Sequence, residues 1–171
     1  TIANCVIQDN NHGIKLGGSA SPLVVNNVIA RNAGDGIHAV GNPPATIMNN
    51  IIVNNGGQGV SSNGKLSMIV DYNDLWDNAG DQPKSNNGNP NNNKEDDPLG
   101  EGNIAEAPFF MAPTATDYRL AAGSPAIDAG HPDFTDEDGT RVDMGAYGGQ
   151  WRNLAEADGT PAPGAALNVS L

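Results

Sequence analysis

Cysteine is nearly missing: the 171-residue chain has one, Cys5. No disulfide can form within it, and neither a CxxCH haem attachment nor a zinc-type cysteine cluster exists. The thiol reads as a small core residue. Aromatic residues make up only 5%, too few for a core of large side chains. Basic residues are also scarce, with eight Lys+Arg against twenty Asp+Glu and a formal net charge of −12. Binding a phosphate backbone needs clustered cations, which argues against a nucleic-acid partner. The acidity suits solubility, divalent cations or a neutral sugar, and would repel a polyanion such as pectate or alginate unless metal bridged the two. No apolar run approaches the length of a membrane span, and the chain opens on a strand pattern without an n-region or h-region. The expectation is a chain with no membrane span, either freed of a signal peptide or a fragment.

What the chain has instead is asparagine and glycine, with 22 glycines, as in β architectures that bend the chain often. The asparagines recur. Asn10, Asn32, Asn55 and Asn78 stand 22 or 23 residues apart. In the same frame fall Ile7, Ile29, Ile52 and Leu75; Ile2, Val24, Ile47 and Val70; and Ile14, Ile37 and Val60, the last set preceded by Gly13, Gly36 and Gly59. Segments such as VVNNVIARN and TIMNNIIVNN are β-branched and Asn-dense, which disfavours helix, and the leucine consensus of a leucine-rich repeat is absent. The period therefore predicts an all-β solenoid of about four coils over residues 1–78, each made of short strands joined by Asn/Gly corners and stacked about 4.8 Å from the next.

Stacking explains the columns. Amides one strand spacing apart can hydrogen-bond along the stack, and Asn tolerates the left-handed corner conformation that β-branched residues refuse. The Asn10 column is assigned to such corners as a structural ladder. A second column, Cys5, Asn27, Asn50 and Asn73, shares parity with the inward Ile7 column and is expected inside. The pattern N-x-I-x-x-N-x-x-x-G-I, as in NVIARNAGDGI and NIIVNNGGQGV, resembles the right-handed, single-stranded parallel β-helix repeat of secreted bacterial and archaeal proteins. DYRLAAGSPAIDAG (Asp117–Gly130) and DEDGTRVDMGAYGG (Asp136–Gly149) are similar to the closing segment of β-helix proteins with a choice-of-anchor C-terminal region. The resemblance implies that fold and a secreted or cell-surface location. It implies no activity, since the fold hosts lyases, hydrolases, epimerases and binding modules.

After Asn78 the rhythm breaks into the Asn/Gly/Pro-rich excursion loop 79–103, whose composition cannot form a buried face. Residues 104–149 are expected to close the final coil and cap it, with Phe109, Phe110 and Tyr118 over the end of the stack. Residues 150–171 read as an Ala/Pro/Gly-rich tail whose start Trp151 would pin, and Asn168-Val169-Ser170 matches a glycosylation acceptor by chance. The first coil has an interior-looking sequence but no cover. Upstream coils or another protein chain, including a second copy in self-assembly, are therefore expected there.

Chemistry would have to sit on outward columns. Asp9, Arg31, Asn54 and Asp77 form one; Lys15 and His38, with His12 and Asp35 at adjoining corners, form another. Asp9, His12, Lys15, Arg31, Asp35 and His38 are the candidates for glycan contact. Lys15, Arg31 and His38 supply the residue types a polysaccharide lyase needs, a base and a cation for the uronate carboxylate. The bland alternatives are a cross-coil ion pair for Asp9 and Arg31, and corner residues for the histidines. Clustered aspartates of an inverting hydrolase are not found, because Asp74 and Asp77 have no partner coil, and no Asp-Pro-His epimerase signature occurs. The acidic turn with Asp133, Asp136, Asp138 and Asp143 resembles half a calcium loop. Calcium is the one cofactor candidate, against a structural turn in which Arg141 is the counter-charge. No catalytic residue is assigned. The reading is a non-catalytic extracellular module for cell-surface attachment, assembly or polysaccharide contact. The alternatives are a polysaccharide lyase with part of its site upstream, or a filament subunit stacking end to end.

Overall fold

The computed structural model describes residues 1–19, 21–41, 43–63, 68–80, 100–112 and 116–149. Most of the 79–103 loop and all of the 150–171 tail, with Trp151 and Asn168-Val169-Ser170, lie outside them. Strands β1 (Ile2–Ala3), β2 (Val6–Gln8) and β3 (Ile14–Gly17) form the first turn of a parallel solenoid. β4 (Leu23–Val25), β5 (Val28–Ala30) and β6 (Ile37–Val40) form the second, and β7 (Thr46–Met48), β8 (Ile51–Val53) and β9 (Val60–Ser62) the third. β10 (Ile69–Asp71) and β11 (Asp74–Trp76) begin a fourth, which has no third strand among the described residues. The solenoid therefore has about three complete turns rather than four among the described residues: Asn78, Ala79 and Gly80 still stack on the third turn, but no third strand follows β11. Three parallel sheets result: β1-β4-β7-β10, β2-β5-β8-β11 and β3-β6-β9.

The registers carry the sequence columns. Ile2 pairs with Val24, Val24 with Ile47, and Val70 with Ile47. Ile7, Ile29, Ile52 and Leu75 align in the second sheet, and Ile14, Ile37 and Val60 in the third. These residues make one interior cluster of aliphatic side chains with Leu16, Ala39, Ala45 and Met68. The interior is narrow where the glycines precede the third sheet. A methyl on Gly36 would stand 2.5 Å from Cγ2 of Ile52 and 2.6 Å from the carbonyl oxygen of Gly59. Gly36→Ala is accordingly expected to cost about 1–3 kcal/mol through overpacking against backbone that cannot yield. An unchanged urea midpoint would show that the rungs are looser than described.

Two ladders of amides run along the stack. In one, Nδ2 of Asn27, Asn50 and Asn73 donates to Oδ1 of Asn50, Asn73 and Asn103 at 3.0, 2.9 and 3.1 Å. Asn27, Asn50 and Asn73 are fully buried. Cys5 heads this column, its N–H donating to Asn27 Oδ1 at 3.0 Å, but it is exposed rather than interior. In the other ladder Asn10, Asn32 and Asn55 donate to Asn32, Asn55 and Asn78 at 3.3, 2.9 and 2.8 Å. The left-handed corner expected at the Asn10 column falls one residue earlier, at Asp9, Arg31, Asn54 and Asp77, with φ between 50° and 59°. The ladder amides need their own backbone N–H aimed along the stack at the next Oδ1, so the bend is placed on their neighbours. The corner between the first two sheets is made likewise by Asn4, Asn26, Asn49 and Tyr72.

Residues 100–106 add to the last turn. Gly100 donates to Val70, Ile104 donates to Asn73 and accepts from Leu75, and Ile104 bridges Asp74 in parallel. Beyond them the expected end cap is corrected: the chain turns back along the flank. β12 (Phe110–Ala112) and β13 (Asp117–Leu120) form an antiparallel pair, and apolar residues of the described segments up to 149 cover the outer face of the second sheet. Tyr118, Ala126, Met144 and Ala146 pack on Val28, Ala30, Ile51 and Val53 in a second buried cluster. Phe110 joins its margin, while Phe109 remains exposed. The corner asparagines fasten this segment. Asn4 donates to the carbonyls of Ala146 and Gly148 at 3.2 Å, Asn26 to that of Asp143 at 3.0 Å, and Asn49 accepts the His131 N–H at 2.8 Å. Gly145, at φ 94°, is required where this chain crosses Ile51, because a Cβ there would lie 2.8 Å from Ile51 Cδ1.

Candidate functional site

The third sheet turns Ile14, Leu16, Ile37, Ala39 and Val60 inward, so alternation sends Lys15, His38 and Ser61 outward in register. Neighbouring strands lie about 4.8 Å apart, which places these three side chains side by side. The corner before β3 supplies His12 and the corner before β6 supplies Asp35. The imidazoles of His12 and His38 stack with centroids 4.8 Å apart and planes 24° from parallel. Asp35 lies between these groups and the next rung. Its Oδ1 accepts the N–H of Gln58 at 2.8 Å. Its Oδ2 is 2.8 Å from His38 Nδ1, accepts the Ser61 hydroxyl at 2.6 Å and is 3.8 Å from His12 Nδ1. Burial pushes the Asp35 carboxyl up, but the bonds from Ser61, the Gln58 N–H and His38 outweigh it and leave it below the ordinary carboxylate range. The site therefore holds a carboxylate.

The hydrogen bonds fix what the histidines can do. Because a carboxylate only accepts, the proton between Asp35 and His38 sits on Nδ1 of His38, leaving its Nε2 unprotonated in the neutral ring. His12 Nδ1 accepts the Asp35 N–H at 3.0 Å and so carries a lone pair. Ser61, His38 and Asp35 are the residue types of a nucleophilic triad. Here, though, Ser61 meets His38 through the same Nδ1 that meets Asp35, at 2.9 Å, and gives its own proton to the carboxylate. A triad base would use Nε2 toward the serine. The arrangement does not activate Ser61.

Of the six glycan-contact candidates, three therefore come together, His12, Asp35 and His38, and a fourth, Lys15, stands beside His38 in strand register. Asp9 and Arg31 lie elsewhere, in a two-bond ion pair at 3.0 and 3.2 Å at the corner between the second and third sheets. The bond from Arg31 holds the Asp9 carboxyl below its ordinary range. Arg31 also donates to Gln8 Oε1 at 3.1 Å and lies 5.8 Å from the centre of the Tyr118 ring, whose hydroxyl donates to Gln8 at 2.7 Å. The pair thus ties the returning C-terminal segment to the first turn. An exposed ion pair of this kind contributes up to about 1 kcal/mol.

The acidic turn is held by its own backbone. Thr135 and Arg141 bridge, Asp138 accepts the Thr140 N–H at 2.9 Å and its hydroxyl at 2.7 Å, and Asp136 accepts the Asp143 N–H at 3.3 Å. Asp143 accepts the Asp128 N–H at 2.8 Å, and Asp133 is strongly exposed. Burial, then the neighbouring Asp138 and Asp143, raise Asp136 to about 6. Arg141 is not the counter-charge expected. It donates to the carbonyls of Ala129 and Gly130 and lies over the Tyr72 ring, 5.4 Å from its centre. Among the described residues, the one group of three His, Cys, Asp or Glu whose ligand atoms converge within 4.8 Å is His12, Asp35 and His38.

Two residues at these places have no counterpart among the sequence candidates. Ser61 completes the outward column, and its place two rungs down from Lys15 in the repeat frame is a usable signal. Asp74, weighed in the sequence only with Asp77 as a hydrolase aspartate, is buried under Ile104 and Glu106 in the second-sheet column that holds Val28 and Ile51 above it, where an acid in an aliphatic column is the signal.

A family model described as right handed beta helix region matches residues 1–96. No curated protein matches the chain, and no solved structure does.

Proposed function

Because the chain belongs to the right-handed β-helix family, whose fold serves binding modules and enzymes alike, we propose that it is a non-catalytic extracellular module that contacts a polysaccharide through the outer face of the third sheet. The supporting observation is the convergence of Lys15, His38 and Ser61 with His12 and Asp35 on that face, while the C-terminal segment occupies the second sheet. Rungs at regular spacing suit an extended chain of sugars, whose hydroxyls would take donors from Lys15 and His12 and acceptors from Asp35. The likeness of residues 117–149 to a choice-of-anchor region supports placement at a cell surface.

Affinity electrophoresis through neutral and acidic polysaccharides tests this. At least one polymer should retard the protein, and Lys15→Ala with His38→Ala should weaken binding about tenfold or more, a loss of roughly 1.4 kcal/mol. Retardation by no polymer, or equal retardation of the variant, would reject the proposal. A lyase reading is favoured by one detail: Asp35 orients His38 so that Nε2 is left as a free base. Unsaturated-uronate absorbance that is abolished by His38→Ala would replace the binding module with that enzyme.

A further inference from the structure

The group around Asp35 Oδ2 has a composition that a sugar-binding face does not require. Two imidazole nitrogens, one carboxylate oxygen and one hydroxyl surround a single point on the corner of the solenoid, contributed by three successive rungs. Oδ2 is 2.8 Å from His38 Nδ1, 3.8 Å from His12 Nδ1 and 2.6 Å from Ser61 Oγ. Four-coordinate zinc with bonds of about 2.0–2.1 Å sets its donors about 3.3 Å apart, and the two carboxylate–imidazole separations straddle that value.

The surrounding backbone is shaped to hold these groups. Gly34 has no room for a Cβ, which would stand 2.8 Å from both Cε1 and Nδ1 of His12. A Cβ on Gly57 would run into Asp35 Oδ1. Asp35 cannot swing away without releasing the Gln58 N–H. Nδ1 of His12 carries no proton, its lone pair being taken by the Asp35 N–H at 3.0 Å, a bond that an ion would replace, and His38 has to carry its proton on Nε2 instead of Nδ1. All three residues are partly exposed, so an ion has access from solvent. The chain's net charge of −12 raises the local concentration of cations.

The geometry points to a transition-metal site in which Nδ1 of His12, Oδ2 of Asp35 and Nδ1 of His38 bind one divalent ion of the zinc class, with Ser61 alongside. The donor set separates it from calcium and magnesium, which take oxygen ligands. Three protein donors leave coordination open to water or an outside ligand. The site stands whether or not a polysaccharide binds, because the ion is measured without sugar.

Calorimetry of the chelator-treated full chain with zinc should give one site. Cobalt substituted there should give the visible absorption of a four-coordinate ion. His12→Gln and His38→Gln should each lower zinc affinity at least about tenfold, with folding checked by circular dichroism, while Asp133→Asn and Asp138→Asn in the acidic turn should leave it unchanged. Calcium should produce no heat at this group. Absence of zinc binding at tenfold excess, or binding undiminished in both histidine variants, would overturn the assignment.

Discussion

Asn50→Ala is expected to destabilise the protein by about 3–5 kcal/mol, far more than Asn10→Ala, which removes an amide from the exposed head of the other ladder. Asn50 is fully buried. Its Nδ2 donates to the carbonyls of Val24 and Met48 and to Asn73 Oδ1, at 3.0, 2.9 and 2.9 Å. Its Oδ1 accepts both the backbone N–H and the side-chain amide of Asn27, at 2.9 and 3.0 Å. Alanine would leave those Asn27 donors and several carbonyls without partners where water cannot reach. Each orphaned buried group costs about 1–3 kcal/mol, and a domain of this size holds about 5–15 kcal/mol in all. Chemical denaturation of both variants measures the difference. Similar losses from Asn10→Ala and Asn50→Ala would mean that the ladder acts through local corner geometry and not through buried hydrogen bonds.

The second large effect runs the other way. Asp74 is fully buried, its Oδ1 accepts the Glu106 N–H at 3.2 Å, and its Oδ2 has no partner. Burial pushes its pKa from the ordinary 3.8 up to about 7. Between those values the folded chain holds a proton that the unfolded chain has lost. The Asp74 contribution is therefore fully present below about pH 4, falls as pH rises, and is lost above about pH 7. The swing is about three pKa units, or roughly 4 kcal/mol. Asp74→Asn keeps the shape and cannot ionise, so its stability relative to the parent should rise from about pH 4 to pH 7 and then level off. Comparing variant with parent at each pH cancels the opposite trend from Asp9, Asp35 and Asp117, whose depressed pKa values favour the folded state at higher pH. A variant no more stable than the parent at about pH 8 would mean that Asp74 is ionised and solvated in the folded chain.

In-register stacking makes the solenoid readable in the sequence. When a turn sits directly on its predecessor, equivalent residues meet equivalent surroundings, and the sequence must repeat the solution. Parity alone places Asn27, Asn50 and Asn73 inside, and they are fully buried. Asn103 escaped because the chain takes 30 residues to reach it from Asn73. Periodicity says nothing about contacts between unlike positions, and that is why residues 104–149 are expected from sequence to close the final coil and cap it. A cue existed in the strands themselves. Val28-Ile29-Ala30 and Ile51-Ile52-Val53 are apolar without alternation and buried throughout, as strands covered on both faces must be. Ile14-Lys15-Leu16-Gly17 alternates, and its outer face is open. The doubled asparagines at 26–27 and 49–50 were a second cue: one of each pair serves the ladder, the other makes the corner and grips the returning chain.

The candidate site was legible as a list of residue types and not as a constellation. The frame put Lys15 beside His38, and the corners put His12 and Asp35 near by. Direction toward a shared carboxylate oxygen depends on corner torsions that residue spacing does not encode. Arg31 looked equally available, yet Asp9, Gln8 and Tyr118 engage it.

The returning segment also sets a timetable for biosynthesis. Asn4 finds its partner in Ala146, 142 residues later. At roughly 5–20 residues per second, about 7–30 seconds of translation separate the two. From the time each is made until that stretch arrives, Val6, Val28 and Ile51 face water, on a surface that other nascent chains could occupy. Rungs can stack as they are made, but the flank closes only when the final stretch has been released, so a ribosome stalled before residue 149 would hold a stacked but unsealed intermediate.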